Sequence, residues 1–106
     1  MEIRTNNRMY KGCRYGGDNE YEVVANCEMT NRGHEDDPRF GVCISKCETE
    51  LGALWQTHEY NAEEIDRYYS GHYYMRDEIS AWQDYFHRCK EVVDYVEKWD
   101  KLKRDM

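Results

Sequence analysis

No run of apolar residues in this sequence approaches the roughly 18 that would suggest a membrane-crossing helix. The opening Met-Glu-Ile-Arg-Thr-Asn-Asn lacks the apolar stretch of a secretory signal, so the chain is expected in the cytoplasm with no membrane partner. Catalytic signatures are missing as well. There is no Gly-x-Ser-x-Gly elbow, His-Glu-x-x-His pair, phosphate loop or dinucleotide fingerprint. Gly16-Gly17 alone reads as a hairpin turn. A cysteine-histidine nucleophile built from Cys47 with His58 or His34 is conceivable, but nothing in the spacing marks it. The expectation is a protein that is not an enzyme. Basic excess is lacking too: 15 Lys and Arg face 22 Asp and Glu, for a formal charge of −7. That charge repels phosphate backbones and anionic membranes, which disfavours direct nucleic-acid binding.

Leucine is scarce and aromatics fill the gap. Ten tyrosines, three tryptophans and two phenylalanines can each bury ~150 to 250 Å². At 106 residues, with 40% hydrophobic and 35% charged, one modest core under a charged surface is expected. Five cysteines, Cys13, Cys27, Cys43, Cys47 and Cys89, are an odd number without an export signal, so reduced thiols are expected rather than a disulfide framework.

The pattern predicts an α+β fold in a single domain, 1–106, β-rich over 8–60 and helical over 61–104. A small antiparallel sheet from the N-terminal half would pack against a short helix and one long C-terminal amphipathic helix. From Tyr21 to Met29 the odd positions Tyr21, Val23, Ala25, Cys27 and Met29 are apolar and alternate with polar residues, broken only by Val24. That period predicts a strand with one wet face. Gly16 to Asn19 predicts a turn back to an earlier strand near Arg8 to Tyr15, which would carry Cys13. Thr30 to Pro38 reads as a loop, and Arg39 to Ser45 as a strand with Phe40, Val42 and Ile44 on one face. Residues 47 to 60 fit helix or strand, with strand favoured.

Asn61 followed by Glu64 resembles a capping box, predicting a short helix from Ala62 to about Tyr69 that Ser70-Gly71 interrupts. The last segment predicts the long helix, Asp77 to Arg104. Ile79, Trp82, Phe86, Cys89, Val93 and Val96 recur at three- and four-residue steps, widened by Tyr85, Val92 and Trp99. Acids open it and Lys98, Lys101, Lys103 and Arg104 close it, matching the macrodipole. Such a helix measures ~42 Å, more than a globule of radius of gyration ~13 Å covers, so its end is expected to overhang or pair.

Charge is unevenly placed. Between Glu48 and Glu78 lie eight acids, Glu48, Glu50, Glu59, Glu63, Glu64, Asp66, Asp77 and Glu78, against Arg67 and Arg76. The same segment holds Tyr60, Tyr68, Tyr69, Tyr73 and Tyr74. Carboxylates interleaved with phenol rings resemble phosphates and bases to a basic groove, and arginine forks pair with both. Glu63, Glu64 and Asp66 equally suit the solvated face of an ordinary helix. In size, acidity and tyrosine content the chain resembles the small inhibitors of phages and mobile elements, including anti-CRISPR proteins and other nucleic-acid mimics. The resemblance is one of composition and rests on no motif. It implies an inhibitor that docks this segment on the basic surface of a nucleic-acid-handling protein.

Two other readings stand beside it. Cys27, His34, Cys43 and Cys47, with Cys13, could ligate zinc in a small interaction or regulatory domain, although Cys-x3-Cys is not the tight knuckle of structural zinc sites. A homodimer could also form on the C-terminal helix through Trp99 and Leu102.

Overall fold

Segments rich in β-branched and aromatic residues dominate the first three quarters of the chain, and they form one antiparallel sheet. A computed structural model describes the backbone of residues 2–4, 9–11, 20–28, 40–61 and 68–105, and side chains over 21–28, 40–60, 70–102 and 104–105. The elements run β1 (Glu2–Arg4), β2 (Met9–Lys11), β3 (Glu20–Glu28), β4 (Phe40–Thr49), β5 (Gly52–Asn61), β6 (Tyr68–Met75) and α1 (Glu78–Arg104). Sheet order is β1-β3-β4-β5-β6, and β2 pairs with the opening residues of β3. The fold is α+β, as expected, and the ambiguous residues after Leu51 are strand. The turn at Gly16 to Asn19, the loop Thr30 to Pro38 and Cys13 lie outside the described residues.

The tight β4–β5 turn follows from two local features. Thr49 Oγ1 accepts from the Leu51 amide at 3.2 Å and donates to the Gly52 carbonyl at 2.6 Å. Gly52 sits at φ 112°, a conformation glycine adopts without the Cβ penalty.

Helix α1 begins where Asp77 caps it. Asp77 Oδ1 accepts from the Ser80 amide at 3.0 Å, while Oδ2 accepts from the Ser80 hydroxyl at 2.6 Å. The helix then lies along one face of the sheet, burying Ala81, Tyr85, Val92 and Val96 against Ala25, Cys27, Val42, Ile44 and Trp55. Phe40 packs on this core as predicted with Val42 and Ile44, its ring edge-on to Tyr95 at 5.4 Å. Among the described residues no helix is long and apolar enough to cross a membrane.

Three local expectations are corrected. In β3 the alternation does not put the odd residues on one face. A bulge between Val23 and Ala25 sends Val23 to the far face, with Cys43 and Tyr60, and Ala25 and Cys27 to the helix. Nor is the other face wet, since Asn26 and Glu28 are buried. The second correction concerns the short helix: Tyr68 and Tyr69 belong to β6, paired with Tyr60 and Glu59, and Asn61 ends β5. The aromatic run of β6 suits a sheet better than a helix turn; residues 62–67 lie outside the described residues. Third, the buried stripe of α1 is rotated from the predicted one. It centres on Ala81, Tyr85, Arg88 and Val92, leaving Ile79 and Phe86 72% and 62% exposed.

Gly41 faces Tyr60 across the β4–β5 pair, and a Cβ there would run into the phenol ring. Overpacking of this kind costs about 1 to 3 kcal/mol. Gly41→Ala should therefore lower the unfolding free energy measured in urea by that amount, and an unchanged free energy would show that Tyr60 does not lie over Gly41.

Candidate functional site

The acidic segment folds to two ends of the sheet. At one end the β4–β5 turn meets the start of α1: the Arg76 side chain approaches Gly52 within 3.9 Å of where a Cβ would stand, and Trp55 pairs with Met75. Glu48, Glu50, Asp77 and Glu78 are all exposed here. Leu51, Met75 and Ile79 are exposed at the same end. Lys46 pairs with Glu48 at 3.2 Å, and together with Arg76 it leaves carboxylates in excess. Hydrogen bonds from the Ser80 hydroxyl and amide hold the Asp77 carboxyl below its ordinary range, keeping it ionised.

The other named residues whose side chains are described do not join this group. Glu59 lies half-buried on the helix side of β5, ~23 Å from Gly52 at 3.3 Å per residue. Tyr60 is buried on the face away from the helix, where the Asn26 amide donates to its hydroxyl at 2.8 Å. Tyr73 shares that face, while Tyr74 points to the helix, where burial and then Asp84 raise its pKa. Three of the five tyrosines thus divide between opposite faces. Glu63, Glu64 and Asp66 lie outside the described residues, as do the side chains of Tyr68 and Tyr69.

Nor does the sheet gather the candidate zinc ligands. Cys27 faces the helix and Cys43 the opposite side, so the sheet separates them. Cys43 and Cys47 share a strand face but stand ~13 Å apart along it, too far for one ion. His34 and Cys13 lie outside the described residues, among which no group of three or more ligating side chains converges. Cys27 instead shares a hydrogen bond with Cys89 of α1, which lowers the Cys27 thiol and raises that of Cys89.

Two polar arrays carry little signal in the primary pattern. On the helix side, Asp84 Oδ2 accepts from the Thr57 hydroxyl at 2.7 Å and from His72 Nδ1 at 2.8 Å, with Arg88 Nε at 3.6 Å. Burial opposes ionisation of Asp84, but these partners and Tyr74 outweigh it and hold the carboxyl below its usual range. Arg88, 6% exposed, donates through Nη2 to the Ser70 carbonyl at 2.7 Å. On the opposite face Asn26, Glu28, Ser45, Gln56 and His58 are buried together, with His58 edge-on to Tyr73 at 5.5 Å. The Asp84 to Arg88 spacing was the one visible clue to the first array. The second has none, because alternation does not say which polar residues a fold buries.

No protein-family model, curated protein or solved structure matches this chain.

Burial, then the charges of Arg88 and His72, pushes the His58 pKa down from 6.5 to about 4. The neutral ring is therefore the form the fold requires. A depressed histidine contributes stability that is complete above its unfolded pKa and lost as pH falls toward the folded value. Unfolding free energy should fall by up to about 3 kcal/mol between pH 6.5 and 4. Histidine NMR resonances followed through the same range should place the His58 midpoint near 4; a midpoint near 6.5 would contradict its burial.

Proposed function

We propose that this protein is a non-enzymatic inhibitor that binds a partner through the acidic end of its sheet. Supporting the reading most directly is the meeting of Glu48, Glu50, Asp77 and Glu78 with exposed Leu51 and Met75, brought together from β4, the β4–β5 turn, the end of β6 and the start of α1. Such a surface combines what a basic partner recognises: carboxylates for arginine forks at the rim and apolar anchors between them. The partner class is a protein whose basic surface handles nucleic acid, because that surface is built to receive spaced anionic groups. The net charge of −7 adds steering toward it at low ionic strength. The surface is smaller than the whole Glu48 to Glu78 segment, and Tyr60, Tyr73 and Tyr74 serve the sheet rather than the contact.

Glu48→Lys with Glu50→Lys tests the proposal without touching the Asp77 cap. Wild-type protein and the double variant serve as baits in an extract of the source cells, at low and at high salt. A nucleic-acid-binding protein retained by the wild type should be lost from the variant and weakened at least tenfold by salt. Equal retention by both baits, or retention only of proteins without nucleic-acid-binding activity, would refute the reading.

A further inference from the structure

Cys27, Cys43, Cys47 and Cys89 are all free thiols. Only two of them meet. Cys27 faces the helix from β3, Cys89 packs on the same core from α1, and the two side chains share a hydrogen bond. Cys43 and Cys47 lie across the sheet from them. Helix rotation brings the pair together. Arg88 reaches over β6 to the Ser70 carbonyl, and Cys89, the next residue, falls on the side toward β3.

The geometry points to Cys27 and Cys89 as a dithiol that hydrogen peroxide oxidises to a disulfide, a redox switch that staples α1 to β3. Cys27 is fully buried whereas Cys89 is half-buried, so a small oxidant meets Cys89 first. Two thiols joined by a hydrogen bond release their first proton more readily than a lone thiol, because the charged sulfur accepts from the other. Donating that bond raises the Cys89 thiol, and the Tyr85 hydroxyl, which bonds the same sulfur, offsets part of the rise. With the remaining proton on Cys27, the Cys89 sulfur is the nucleophile. It attacks one peroxide oxygen; the O–O bond breaks, and hydroxide leaves and becomes water with the proton already released. Cys27 then attacks the Cys89 sulfenic acid, so that the S–S bond forms, the S–O bond breaks and a second water leaves with the Cys27 proton. Two thiols have lost two electrons, and one peroxide has become two waters. The assignment does not depend on the acidic surface, which contains neither cysteine.

Peptide mass mapping of the folded chain after hydrogen peroxide, with remaining thiols blocked by N-ethylmaleimide under denaturing conditions, tests the switch. Cys27 and Cys89 should be joined within one chain with the loss of two hydrogens, while Cys43 stays a blocked thiol. The oxidised chain should need about 1 M or more additional urea to unfold, because the bridge closes a loop that holds β4, β5 and β6. Dithiothreitol should reverse both changes. Cys89→Ala should show neither, and the wild-type map stands whether or not that variant folds. A map in which both cysteines remain thiols, proceed to sulfinic acid or pair with other cysteines would overturn the proposal. So would a bridged chain no more resistant to urea than the reduced one.

Discussion

One carboxylate decides how the helix sits on the sheet. Asp84 takes hydrogen bonds from Thr57 in β5 and His72 in β6, and its neighbour Arg88 reaches the backbone of Ser70. Bonds to a charged group contribute about 1.5 to 3 kcal/mol each, several times an ordinary surface ion pair. They clamp the helix over β5 and β6 and so fix its rotation about its own axis. That rotation buries Tyr85 and Val92 and turns Ile79 and Phe86 outward. A helix oriented by apolar contacts alone would have turned Ile79 and Phe86 further toward the sheet.

The clamp is not free of cost. Arg88 is 6% exposed, and its Nη1 is buried with no hydrogen-bond partner among the described residues. Such an orphaned group costs about 1 to 3 kcal/mol. Ser70 is held at φ 52°, a left-handed conformation unfavourable by about 1 to 2 kcal/mol for a residue with a Cβ. Arg88 bonds the carbonyl of that same residue. The pair therefore secures orientation more than net stability, since buried ion pairs often do no better than apolar residues of the same volume.

How far this was legible depended on the range of the signal. Alternation at Phe40, Val42 and Ile44 and the periodicity after Asp77 reflect local geometry, and both elements form as read. The β3 bulge is different. Val24 appeared as one break in the alternation, but which side it moved Val23 to is fixed by pairing with β4. At β6 the capping pattern of Asn61 and Glu64 outweighed a run of tyrosines whose strand character depends on β5 as a neighbour. For the acidic segment, sequence proximity stood in for spatial proximity, and a ten-residue strand such as β5 carries its two ends far apart. Hence Glu48 and Glu50 join Asp77 and Glu78 across the sheet end rather than Glu59 along the chain.

The clamp can be measured as a coupling. A double-mutant cycle with Thr57→Val and Asp84→Asn, followed by urea unfolding, isolates the energy shared by the two side chains. Orientation by Asp84 predicts that the two losses fail to add, by about 1 to 3 kcal/mol. Additive losses would mean that apolar packing alone sets the helix, and the outward turn of Ile79 and Phe86 would lose its cause.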